Sequence, residues 1–144
     1  MGFNIQVFLA IIATDNCTDS TFTQKPCSVC WENRFDSFWL MDHFHQISVV
    51  GKPEEPMLEG WTTLSFLAAV TTKIKLDTLV TGVIYRHPSV LAKIDATMDV
   101  LSGGRLLMGI GAAWNEEESG AYGITFPSTG LRFLSSKMPY ILYA

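Results

Sequence analysis

Cysteine is scarce in this chain. The three residues, Cys17, Cys27 and Cys30, all lie before position 31. An odd, clustered set argues against a closed disulfide framework. Cys27-x-x-Cys30 is half of a tetrahedral zinc set, and no second pair follows it. Only His43 and His45 are near enough in sequence to complete it, so no metal is expected. Charge is also thin, 17% of residues with a net −4, which gives no electrostatic footprint for nucleic acid or an anionic membrane surface. No apolar run approaches the roughly 18–20 residues that span a bilayer. The stretch Ile5–Ala13 has the length of a secretory signal core, but no Lys or Arg precedes it and Gln6 interrupts it. The expected setting is therefore cytoplasmic, with incidental thiols and an unused Asn16-Cys-Thr18 sequon.

What is present is apolar substance: 48% of 144 residues, enough for one domain with a core. Phe3, Ile5 and Val7 alternate with Asn4 and Gln6, predicting a first strand over 3–8. Residues 9–33 show neither helical spacing nor alternation and read as irregular. Ser37–Met41 reads as a second strand. Trp61, Leu64, Leu67, Ala68 and Thr71 fall on one face of a helix over 58–71. Ile74–Val80 alternates as a third strand. Pro88 opens a second helix near its first position, with Val90, Leu91, Ile94, Met98 and Leu101 as its stripe and Gly103-Gly104 as its left-handed stop. Arg105–Ile110 is a short, almost wholly apolar fourth strand, as in a sheet covered on both faces. Asn115 caps a further helix, with Glu118 as its capping-box partner. The tail from Leu131 lacks a clean helical stripe and is interrupted by Pro139. Strand and helix alternate, which predicts βαβ units, a parallel sheet and an α/β fold.

In such sheets ligands bind beyond the carboxyl ends of the strands. Asp42, His43 and His45 stand at the end of the second strand. Thr78-Leu-Val-Thr-Gly82 ends the third, offering hydroxyls and a glycine. Gly109-Ile-Gly111 ends the fourth, where missing side chains let a flat ligand approach the backbone. The pattern is not a dinucleotide fingerprint, because Trp114 stands where its third glycine would be. The adjacent glutamates also repel a phosphate at that helix end.

The segments "FDSFWLMDHFHQI" and "EPMLEGWTTLSFLAAVTTKIKLDTLVTGVIYRHPSVLAKIDATMDVLSGGRLLMGIGAAWNEEESGAYGITFP" resemble the luciferase-like monooxygenase family over about Arg34 to Arg132. The nearest branch is the deazaflavin (F-420)-dependent oxidoreductases. The resemblance implies one incomplete barrel domain over 1–144, irregular at 9–33 and 133–144. The fold would be a partial (β/α)8 TIM barrel of about four parallel strands with covering helices. It implies a deazaflavin or FMN cofactor and hydride transfer or oxygenation on an organic small molecule. His43 takes the place of the family histidine and is the expected catalytic residue. Asp42, His43, Thr78, Leu79, Gly109 and Gly111 are the expected cofactor-binding residues. A non-proline cis peptide is implied at Thr78-Leu79. Where some sugar-phosphate-oxidising members have a glutamate, this chain has Trp114. Four strands cannot close a barrel, so a lone copy is expected to bind coenzyme weakly unless it pairs as a homodimer. The alternative is a truncated, non-catalytic barrel fragment or interaction module.

Overall fold

The computed structural model describes residues 9–13 and 35–136, with the backbone alone at 9–13, 35 and 136. The elements run β1 (Leu9–Ala13), β2 (Phe35–Leu40), α1 (Gly60–Val70), β3 (Lys75–Thr78), β4 (Thr81–Gly82), α2 (Pro88–Ser102), β5 (Ile110–Gly111), α3 (Glu116–Ala121) and α4 (Thr129–Ser136). They form two small sheets, β1-β2-β3 and β4-β5. β2 and β3 are parallel, in the register Phe38↔Leu76 and Leu40↔Thr78. β4 and β5 are parallel through Thr81↔Ile110 and Gly82↔Gly111. The expected third strand is thus one line of chain interrupted at a cis peptide, Leu79–Val80. That bond lies one residue beyond the position implied by resemblance.

The expected fourth strand follows this line. Leu106 bridges Leu76 in parallel. The Thr81 amide donates to the Gly109 carbonyl at 2.9 Å, and the Val83 amide to Gly111 at 3.0 Å. Regular pairing begins only at Ile110, later than predicted.

The first strand expected over 3–8 lies outside the described residues. Three expectations are corrected. The strand that pairs with β2 is Leu9–Ala13, inside the stretch read as irregular, and it runs antiparallel. It is a continuous apolar run, a pattern that carries no period of two. The tail forms α4 through Ser136, whereas residues 137–144 lie outside the described residues. There Arg132 is buried, with its guanidinium 3.9 Å over the Phe126 ring. Lastly, the α2 stripe is narrower than predicted. Leu91 and Met98 are buried, but Val90 and Leu101 are 53% and 71% exposed. At about 100° per residue those two lie together on one flank of the face that Leu91, Ile94 and Met98 share, on the Ile94 side.

The core sits between sheet and helices. Phe38 and Leu40 of β2 and Leu76 of β3 point to one side of the sheet, where Trp61, Leu64, Leu67 and Ala68 of α1 meet Leu91 and Met98 of α2. Arg105 ties the far end of this layer. Its guanidinium donates to the carbonyls of Ala68, Thr71, Ile74 and Ser102 and to the Thr71 hydroxyl, at 2.7–3.1 Å. These include orphan carbonyls at the α1 and α2 carboxyl ends, where a cation is also favoured by the helix dipole. Gly103 closes α2 in the left-handed region, φ 71°, as predicted.

Candidate functional site

At the opposite end, β2 stops at Leu40 and Asp42 turns inward, buried. Its carboxylate is taken up by protein donors. Arg86 grips it as a fork, at 2.7 Å and 2.9 Å. The Thr81 hydroxyl donates at 2.6 Å and the Gly82 amide at 3.2 Å. Trp61 in turn donates its indole N–H to the Thr81 hydroxyl at 2.9 Å. Arg86 also reaches Glu59, whose carboxylate caps α1 by accepting from the Trp61 and Thr62 amides. Burial works against the Arg86 charge, but Asp42 and then Glu59 outweigh it and raise its pKa. Burial likewise opposes the Glu59 charge, and bonds from Thr62 together with Arg86 hold that carboxyl below the usual range. One buried network therefore joins the ends of β2 and β4 to the start of α1.

His43, the next residue, is turned the other way. Its Nδ1 lies 2.7 Å from Glu118 Oε2 on α3. The Tyr85 hydroxyl donates to the same oxygen at 2.7 Å. Glu118 Oε1 accepts from the Phe44 amide and, at 3.3 Å, from the His45 amide. The Glu118 side chain is fully buried. Burial alone would raise its pKa. The bonds from His43, Tyr85 and Phe44 prevail and hold it below the usual carboxylate value. Tyr85 is pushed above the usual phenol range, first by burial and then by Glu118. The Trp114 ring meets the His43 ring edge-on, with centroids 5.4 Å apart at 72°.

Between these groups lies a cavity of about 320 Å³. Asp42, His43 and Tyr85 border it on one side, Leu79, Val80, Thr81 and Gly82 along the β3–β4 line, and Gly111, Ala112, Ala113 and Trp114 beyond β5. The lining contains no lysine or arginine. Four of the six expected cofactor-binding residues, Asp42, His43, Leu79 and Gly111, are brought together here. Thr78 and Gly109 are not in the lining. Thr78 is fully buried, and a Cβ on Gly109 would stand 3.0 Å from the Thr78 carbonyl oxygen, so that glycine serves close strand packing. His45 directs its Nδ1 to the Gln46 carbonyl at 3.1 Å.

Sequence reasoning missed Tyr85, Arg86 and the part played by Glu118. Asn115 does cap α3, accepting from the Glu118 amide at 3.2 Å. The Glu118 side chain does not return to the cap as a capping box requires. It runs to a loop more than seventy residues earlier. Among the described residues no group of three His, Cys, Asp or Glu is placed to hold a metal ion. Cys27 and Cys30 lie outside them.

Comparison with known proteins decides the family. The model of the luciferase-like monooxygenases matches residues 32–134. The chain belongs to this family. Among curated relatives, the F420-dependent glucose-6-phosphate dehydrogenase of Kineococcus radiotolerans is 37% identical over 103 residues, 71% of this chain and 29% of its own length. The 5,10-methylenetetrahydromethanopterin reductase of Methanopyrus kandleri is 35% identical over 83 residues, 58% of this chain and 21% of that one. The chain thus spans less than a third of either relative. A solved F420-dependent secondary alcohol dehydrogenase, in complex with an F420–acetone adduct, superposes with a TM-score of 0.62 at 25% identity. The match covers 73% of this chain and 31% of that one. The oxygenating constituent of 3,6-diketocamphane monooxygenase from Pseudomonas putida, in complex with FMN, shares the fold. Its TM-score is 0.53 at 19% identity, over 68% of this chain and 26% of that one.

Proposed function

We propose that this chain is the part of a luciferase-like oxidoreductase that carries the reacting end of a deazaflavin or FMN site. The reaction would be hydride transfer or oxygenation on a small organic molecule. The carrying observation is the placement of one imidazole, His43, on the wall of a cavity whose other side is apolar and glycine-bearing. That cavity lies at the carboxyl ends of parallel strands. The family relatives that use F420 favour the deazaflavin over FMN. In this reading the α/β layer is a segment of a (β/α)8 barrel, and the pairing of β2 with β3 and β4 with β5 forms part of its wall.

The residues present fit a flat ring. The cavity falls within the range of small-molecule sites, and Leu79, Val80, Ala112 and Trp114 offer apolar surface to a ring face. A phosphate finds no cationic partner in the lining, so that end of a coenzyme would be held by other residues. When bound, such a group supplies two-electron hydride chemistry. His43 holds or moves a proton at Nε2, the ring nitrogen not turned to Glu118. The Asp42–Arg86 network fixes the backbone on which His43 stands. Trp114 beside His43 presents the small-molecule substrate with an aromatic rather than an acidic wall.

The test is titration of the full chain with the deazaflavin coenzyme and with FMN, followed by tryptophan fluorescence, beside sedimentation analysis of oligomeric state. We expect micromolar deazaflavin binding that grows with the dimeric fraction. Tight binding by a monomer would remove the homodimer from the reading. Absence of binding by monomer and dimer alike would overturn it in favour of a non-catalytic fragment. With turnover in hand, His43→Ala should lower the rate about 10²–10⁴-fold, the span of a lost proton-transfer group; an unchanged rate would remove His43 from the chemistry.

A further inference from the structure

Glu118 ties α3 to the loop carrying His43, beside Tyr122 at the end of that helix, whose hydroxyl donates to the Phe44 carbonyl at 3.0 Å. The four bonds of Glu118 have a chemical consequence. An ionised carboxylate offers about four acceptor sites and no donor. Here the four partners are His43 Nδ1, the Phe44 and His45 amides, and the Tyr85 hydroxyl. The two amides can only donate. Tyr85 and His43 are the two that could reverse roles, and each does so only if the carboxyl carries a proton. We infer that Glu118 is a positioning residue that fixes the neutral His43 ring in its Nδ1–H tautomer and so turns Nε2, the acceptor nitrogen of that tautomer, to the cavity.

Three observations support this. Glu118 is fully buried and meets donors on both oxygens, the setting in which a carboxylate stays ionised. The hydroxyl of Tyr85 is held against Glu118 at 2.7 Å, and the phenol ring packs at 4.9 Å from Phe44, so this donor is locked by its neighbours. The Trp114 ring stands edge-on to the His43 ring, with centroids 5.4 Å apart, a second contact on the imidazole. The ring therefore meets a carboxylate and an indole, the phenol braces the carboxylate, and the carboxylate sets the tautomer. The inference deepens the function proposed above, and rests on it only for what Nε2 would face. The tautomer itself needs no coenzyme.

The experiment is a long-range proton–nitrogen correlation spectrum of the full chain labelled with nitrogen-15 in histidine. The His43 signals are identified by their loss in His43→Asn. In the native chain Nδ1 should carry the proton and Nε2 should show the shift of a bare ring nitrogen. In Glu118→Gln the amide presents a donor as well as an acceptor, and His43 should move to the Nε2–H form or to a mixture. In Tyr85→Phe the other three donors remain and the Nδ1–H form should persist. An Nε2–H ring in the native chain would overturn the inference, as would an unchanged tautomer in a folded Glu118→Gln. If Glu118→Gln fails to fold, the native spectrum decides alone. An Nδ1–H ring in a chain that binds no coenzyme would sink the proposed function and uphold the role of Glu118; Nε2–H in a chain that does bind it would do the reverse.

Discussion

The two ends of the α1–α2 layer are built from different chemistry. At one end Arg105 gathers four backbone carbonyls and a hydroxyl, all neutral acceptors, and borders no described cavity. At the other, Asp42, Arg86 and Glu59 pair charge with charge, Glu118 collects His43 and Tyr85, and a cavity opens beside them. Trp114, bordering the cavity at this second end, is 63% exposed. A cation at helix carboxyl ends stabilises the fold and has no further consequence. Buried ion pairs are a weak way to gain stability, because desolvation offsets most of their attraction. Their presence beside the cavity is better explained by the fixed backbone that they give His43.

That contrast can be broken at several points. The largest effect is expected from Arg86→Ala, which strands the buried Asp42 carboxylate and should cost about 3–5 kcal/mol in urea unfolding. Between the two ends lies Asp77 on β3, whose pKa is raised to about 7, chiefly by burial and further by the Asp95 charge, against bonds from Thr78 and Gly109. An acid with a raised folded value favours the folded state when protonated. Its contribution is fully present below the usual 3.8 and is lost as pH rises through about 7. Each unit of such a displacement is worth about 1.4 kcal/mol. Asp77→Asn should therefore flatten the fall in stability across that window, measured as denaturation midpoints at stepped pH. Arg105→Ala should cost about 1.5–3 kcal/mol, the range for hydrogen bonds to a charged group, while leaving coenzyme affinity per folded molecule unchanged. If it weakened binding as much as Arg86→Ala does, the two ends would not differ in the way argued. The smallest effect on stability belongs to Trp114→Ala, within about 0.5 kcal/mol for an exposed side chain. That variant should nonetheless lose most of the fluorescence response to coenzyme.

The helices were legible because their signals are local. Trp61, Leu64, Leu67 and Ala68 recur at helical spacing, and Pro88 and Gly103 mark the ends of α2 by their own backbone preferences. His43, Leu79 and Gly111 were legible as strand-end residues, once the order of strands and helices was read. Thr78 and Gly109 were assigned by the same logic, but Thr78 falls on the buried side of the sheet, one residue out of register with Leu79, and Gly109 lies against a neighbouring strand. Arg86 and Glu118 left no local mark. Arg86 meets Asp42 forty-four residues away in sequence, and pairing at that range has no periodicity. Glu118 carried a misleading local mark, since the Asn115-x-x-Glu118 spacing also describes a helix start. Leu9–Ala13 showed only an apolar run, which does not give the direction in which a strand will pair.

The link from His43 to Glu118 crosses seventy-five positions, and this sets an order of events during synthesis. The loop bearing the imidazole leaves the ribosome long before the acid that orients it. Until α3 has been made and docked, nothing dictates which ring nitrogen faces inward. The acid that orients His43 is therefore made after every residue of the apolar layer, whose last member in sequence is Ile110.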